Sequence, residues 1–159
     1  MLMNETNKDL LELWGKVGFI VHLSQMVEYN LANILSADEL LREFDERDSM
    51  CIIEYNEFAE KSNELYRRLS TIPLGYILKQ AENVKFFNED GLKLLQEACK
   101  KRNYVVHHLF RDDLKPNHLE IDPQFYFEEL ETTIELLHNI NEVLVKIFEQ
   151  QKQEFKLIY

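Results

Sequence analysis

Glycine and proline are scarce here, four and three in 159 residues, so the tight turns that sheet proteins need at short intervals have little to be made from. Cysteine is scarcer still. Cys51 and Cys99 lack a CxxC or Cys/His ligand spacing, and each sits in an apolar-periodic segment, so both read as buried thiols of a reducing cytosol rather than a disulfide framework. No apolar run approaches the length of a bilayer span, and Met1 to Asp9 lacks the basic-then-apolar pattern of an export signal. The expectation is a cytoplasmic chain with no membrane partner. A phosphate-cradling glycine loop, HExxH and Gly-x-Ser-x-Gly are all missing, which removes the common nucleotide-binding, zinc-protease and serine-hydrolase classes. Basic charge is also in short supply. Eighteen Lys and Arg against 29 Asp and Glu leave a net charge of -11, which argues against broad affinity for nucleic acid.

What the chain does have is helix-forming apolar periodicity. Ten Phe, seven Tyr and many Leu, Glu and Lys describe an all-α fold, an up-and-down helical bundle of five to six helices built as a single domain over residues 1–159. Leu10, Trp14, Val17, Val21, Val27, Leu31 and Ile34 mark a first helix from about Lys8 to Leu35. Asp38 then opens a short helix through Leu41 and Phe44. Ile52, Tyr55, Phe58, Leu65 and Leu69 define a third, ending near Ser70 and Thr71, and Pro73 starts a short fourth that runs to Asn83. Asn88 caps a fifth helix, with Glu89 and Asp90 in its first turn, which continues to about Leu114 until Pro116 stops it. Asp122-Pro123 opens the last. Its Phe127, Leu130, Ile134, Leu137, Leu144 and Phe148 form a heptad-like seam, broken by Asn141, which either sets register against a partner helix, or caps a carbonyl or lies at the bundle edge.

The chemistry-bearing stretch is Lys100-Lys101-Arg102-Asn103-Tyr104-Val105-Val106-His107-His108 on the fifth helix. At about 100° per residue, Leu92, Leu95, Cys99, Val106, Leu109 and Phe110 form a core-facing stripe with Arg102 in its middle, and His107 lies roughly 140° away. Asn103, one turn before His107, shares its face. A helix with polar groups on two sides fits between its own bundle and a second body, most simply another copy. From Gly91 to Pro116 six bases face three acids, a local excess that falls to +1 when Glu89 and Asp90 are included. Spacing alone leaves open the plainer alternative of an Arg bridged to a buried acid and a His bonded to a backbone carbonyl. Arg111 and His118 form a looser pair, but Pro116 divides them.

The segment resembles the HEPN superfamily, small all-helical proteins marked by Arg, a polar residue, and His four to six positions on. Arg102, Asn103 and His107 match in that order, and Thr71-Ile72-Pro73-Leu74-Gly75 is similar to the turn before it; the likeness is sharp over roughly Thr71 to Leu114. It implies a metal-independent endoribonuclease, often a toxin or phage-defence factor, that needs no cofactor and forms its cleft where two protomers of a homodimer meet. His107 would then serve as general base or acid toward the ribose 2′-OH or the leaving oxygen, and Arg102 would hold the scissile phosphate. Asn103 would orient the imidazole or the phosphate, with Lys100, Lys101 and Arg111 contacting RNA phosphate. A nucleophilic 2′-OH restricts such an enzyme to RNA.

Other candidates are weaker. His108 points about 100° from His107, so the two cannot chelate one ion, and its i+4 neighbour Asp112 is its expected hydrogen-bond partner. Tyr104 can stack on a base, though a tyrosine at a dimer interface is the commoner case. Glu135-x-x-His138 is half of a di-iron element with no second copy, and His22 and His118 have no companions at ligand spacing, so no metal site is expected. The alternative to an enzyme is a non-catalytic HEPN-like interaction or regulatory module, in which the Arg/His pair only steadies the dimer. The acidic surface is ordinarily a solubilising shell, and it could also dock a basic antitoxin or regulatory partner.

Overall fold

A computed structural model describes residues 5–44, 51–72, 74–113 and 123–159, and the described residues form an all-α bundle with one two-stranded sheet. Helix α1 spans Glu5–Phe44, strand β1 Cys51–Glu54, α2 Tyr55–Leu69, α3 Leu74–Ala81 and α4 Glu89–Asn103. A π-helix, Tyr104–Asp113, continues α4 directly. A 3-10 turn over Pro123–Tyr126 leads into α5, Phe127–Glu154, and β2, Phe155–Ile158, ends the chain.

The long pair α1 and α5 is the spine, and it is zipped by apolar residues at helical spacing. Leu13, Ile20, Leu23, Val27, Leu31 and Ile34 of α1 meet Leu130, Leu137, Ile140, Leu144 and Ile147 of α5, all nearly inaccessible to solvent. Asn141 interrupts the seam for a local reason. It donates to the Leu23 carbonyl at 3.3 Å and accepts from Asn30 at 3.0 Å, so it is the carbonyl-capping alternative that holds, within one protomer.

Helix α1 is one element, not two. The expected break at Asp38 is overridden because Ser36 returns its hydroxyl to the Ala32 carbonyl at 2.7 Å and Ala37 is fully buried, so nothing remains for a cap to do. Asp38 instead pairs with Arg42 along the helix at 2.9 Å.

The third helix starts later than its apolar spacing suggests. Ile52 and Ile53 belong to β1, which pairs in parallel with β2 in the register Cys51↔Phe155, Ile53↔Leu157. Both strands were missed by helical periodicity, since four-residue apolar runs carry no period of their own. Ile53 and Phe155 close a second small core with Phe58, Leu40 and Ala37. The turn after α2 comes at Ser70 and Thr71 as expected, and α3 lies inside the expected Pro73 to Asn83. Pro116, His118 and the Asp122 cap lie outside the described residues.

Candidate functional site

The helix that carries the Arg/His motif begins as its sequence requires. Asn88 accepts the Gly91 N–H at 2.7 Å through Oδ1, and Glu89 and Asp90 occupy the first turn. Leu95, Ala98 and Cys99 then bury against the core. After Asn103 the winding widens. Tyr104–Asp113 is π-helical, so each residue turns through less than the about 100° of an α-helix and the core-facing positions shift. Val105 and Leu109 are buried, while Val106 is only half-buried. The expected α-helical stripe through Val106 is corrected accordingly. The five-residue step from Arg102 to His107 also closes on less than the roughly 140° of an α-helix, so the two sit nearer one face than periodicity indicates.

Arg102 is half-buried and engaged from two sides. Its Nη1 donates to Asn103 Oδ1 at 3.0 Å and its Nη2 to Glu28 Oε1 of α1 at 3.4 Å, while Nε is buried without a partner. The plainer reading, an arginine bridged to an internal acid, therefore describes the protomer. Burial raises the Glu28 carboxyl above its usual range and Arg102 pulls it back down. Burial likewise pushes the adjacent Cys99 thiol up to about 12, so it carries no thiolate near neutral pH. The side chain of Cys51 lies outside the described residues.

The other expected site residues divide between two places. Lys100, Asn103, Tyr104 and His108 line an open groove of about 450 Å³ with Leu78, Gln96 and Cys99. His107 is exposed but does not line that groove, and among the described residues it makes no hydrogen bond or ion pair, so the expected bond to a backbone carbonyl is absent. Asn103 is turned to Arg102 rather than to an imidazole. Lys101 is held by Glu129 of α5 at 2.6 Å, which withdraws it from phosphate contact. His108 Nδ1 meets Arg111 Nη2 at 2.8 Å; a guanidinium only donates, so Nδ1 accepts and the ring proton sits on Nε2. The expected partner of His108, Asp112, has its side chain outside the described residues.

Glu28, Gln96 and Leu78 were not singled out from the sequence. Glu28 left a signal all the same, an acid directly after the apolar pair Met26-Val27 with no basic neighbour on its own helix turn. Glu135 and His138 are exposed on α5, His138 packs its ring on Phe19 at 5.7 Å, and no cluster of three or more metal-ligating side chains occurs among the described residues. No described helix is long and apolar enough to cross a membrane. No protein-family model, curated protein or solved structure matches this chain.

Proposed function

We propose that the chain is a metal-independent endoribonuclease of the HEPN type, acting at the junction of α4 and the π-helix. One observation carries the reading: a groove lined by Lys100, Asn103, Tyr104 and His108 opens on a π-helical segment that also presents His107 to solvent and begins directly after Arg102. Ten residues of π-winding are costly and rare, and such distortions concentrate at functional sites. In the reaction, His107 takes the proton of a ribose 2′-OH, whose oxygen attacks the adjacent phosphorus. The 5′ oxygen of the next nucleotide leaves and takes up one proton, giving a 2′,3′-cyclic phosphate and a 5′-hydroxyl with no net change in protons. Lys100 attracts the phosphate, and Tyr104 offers a ring to a base. Arg102 contributes only where phosphate displaces the Glu28 carboxylate from its Nη2.

Single-stranded RNA incubated with the protein in EDTA tests this. Cleavage to cyclic-phosphate ends, reduced about 100-fold or more in His107→Ala, supports it. An inactive wild-type protein, or cleavage that His107→Ala leaves intact, rejects it.

A second reading, a non-catalytic HEPN-like regulatory module, is favoured by the Glu28–Arg102 pair, which satisfies the guanidinium within the protomer, and by the net charge of -11. It is the reading that survives if no RNA is cut. A homodimer, an antitoxin partner and a cytoplasmic setting belong to the proposal.

A further inference from the structure

Charged side chains between residues 11 and 29 of α1 all leave one face of the helix. Lys16 is drawn to Glu131 of α5 at 3.0 Å and to Glu12 at 3.6 Å, and Glu28 is drawn to Arg102. The face between them carries Leu11, Trp14, Phe19, Val21, Met26 and Tyr29, each 39 to 56 % exposed. It runs for about 27 Å at 1.5 Å per residue without one charge, in a chain that is 30 % charged. Gly15 and Gly18 lie on the same face, and a Cβ built at either would meet nothing within 4 Å. Glycine weakens a helix interior, so two of them at exposed mid-helix positions call for a body that comes close there.

We propose that this face binds a second copy of the chain, α1 against α1, antiparallel about a two-fold axis near Ile20. The face is its own complement. In that arrangement each residue opposes the one whose number brings the sum to 40, so Gly15 receives the partner copy's glutamine at position 25, Gly18 receives its histidine at 22, and Trp14 meets the methionine at 26. Small residues thus lie opposite long ones on both halves. Charge selects among faces: two bodies of net charge -11 repel overall, and least where the meeting surfaces carry no carboxylates. The area suffices as well. Half of the 150–250 Å² that an aromatic ring can bury, for Trp14, Phe19 and Tyr29, with a little less for each aliphatic, gives about 500 Å² per protomer and about 1,000 Å² in all, where specific interfaces begin.

Sedimentation equilibrium of the full chain, at about 1 to 100 µM, tests the proposal beside Gly18→Glu. Open space at Gly18 lets that variant keep the fold, which an unchanged far-UV circular dichroism spectrum verifies. Trp14 is the only tryptophan, so its emission reports burial of this face. The expected result is twice the 19.1 kDa chain mass and a blue shift of Trp14 on concentration, with dimerisation weakened at least tenfold in Gly18→Glu. A wild-type monomer throughout the range overturns the proposal, as does a dimer indifferent to Gly18→Glu. A monomer whose Trp14 is already shielded at the lowest concentration also overturns it, because another segment of the same chain would then be the occupant. The assay contains no RNA, so its outcome is separate from that of the nuclease assay.

Discussion

Arg102 meets two opposing demands in one side chain: the proposed role as a phosphate ligand requires it to be reachable, and as the partner of Glu28 it is held inward. The pair is half-buried, so its net value is set by burial against attraction, and the raised carboxyl of Glu28 says that burial is the larger. An acid whose folded pKa exceeds its unfolded one stabilises the fold fully below the usual 4.5 and loses that contribution as pH rises through the raised value. Glu28→Gln abolishes this titration. Urea midpoints should therefore show the wild type losing ground to Glu28→Gln as pH rises from about 4.5 toward neutrality; a gap that moves the other way would mean that attraction to Arg102 dominates. Arg102 was legible from spacing as a charge set into an apolar stripe. Glu28 was not, because 74 residues separate it from Arg102 and spacing along a chain says nothing of what the fold brings together.

At the level of single elements, caps and periods behaved unequally. Asn88 was legible as a cap and holds the Gly91 N–H, so Asn88→Ala should cost about 1 kcal/mol in denaturant unfolding with the groove residues left in place. A cost near zero would mean that water or a neighbour replaces the cap. Asp38 carried the same kind of signal, yet α1 runs through it, since a buried Ala37 and the self-satisfied Ser36 leave no free helix end. The π-winding after Asn103 was invisible to a 3.6-residue template. It moves Val105 rather than Val106 into the core, and it sets His108, not His107, on the groove with Lys100 and Asn103. A wider turn depends on what α1 and α5 ask of the helix packed against them, which no local pattern encodes.

For the molecule as a whole, two packing decisions matter. One is the α1–α5 spine, evident in the seam Leu130, Leu137, Leu144. The other is the joining of β1 to the C-terminal β2, where Phe155 packs tilted against Phe58 with ring centroids 6.4 Å apart. Phe155 is nearly buried, so Phe155→Ala should destabilise the protein by about 3 kcal/mol, the lower range for a core aromatic, and a shift under 1 kcal/mol in urea would show that the small core does not bear on global stability. The same scale settles what α1 shows to solvent. An apolar residue such as Trp14 scores as core in any periodic reading, and only the assembled bundle reveals that it is left outside.

Composition and the 3-and-4 spacing of apolar residues by themselves determined a helical bundle, its long terminal helices and the Asn88 start, because helices form through contacts a few residues apart. Tertiary structure alone decided that Arg102 faces Glu28, that the chain turns π-helical after Asn103, that two short strands distant in sequence pair, and that an apolar face of α1 stays uncovered. Each of these depends on groups distant in sequence competing for the same space, burial and hydrogen bonds, a competition that exists only once the chain has folded.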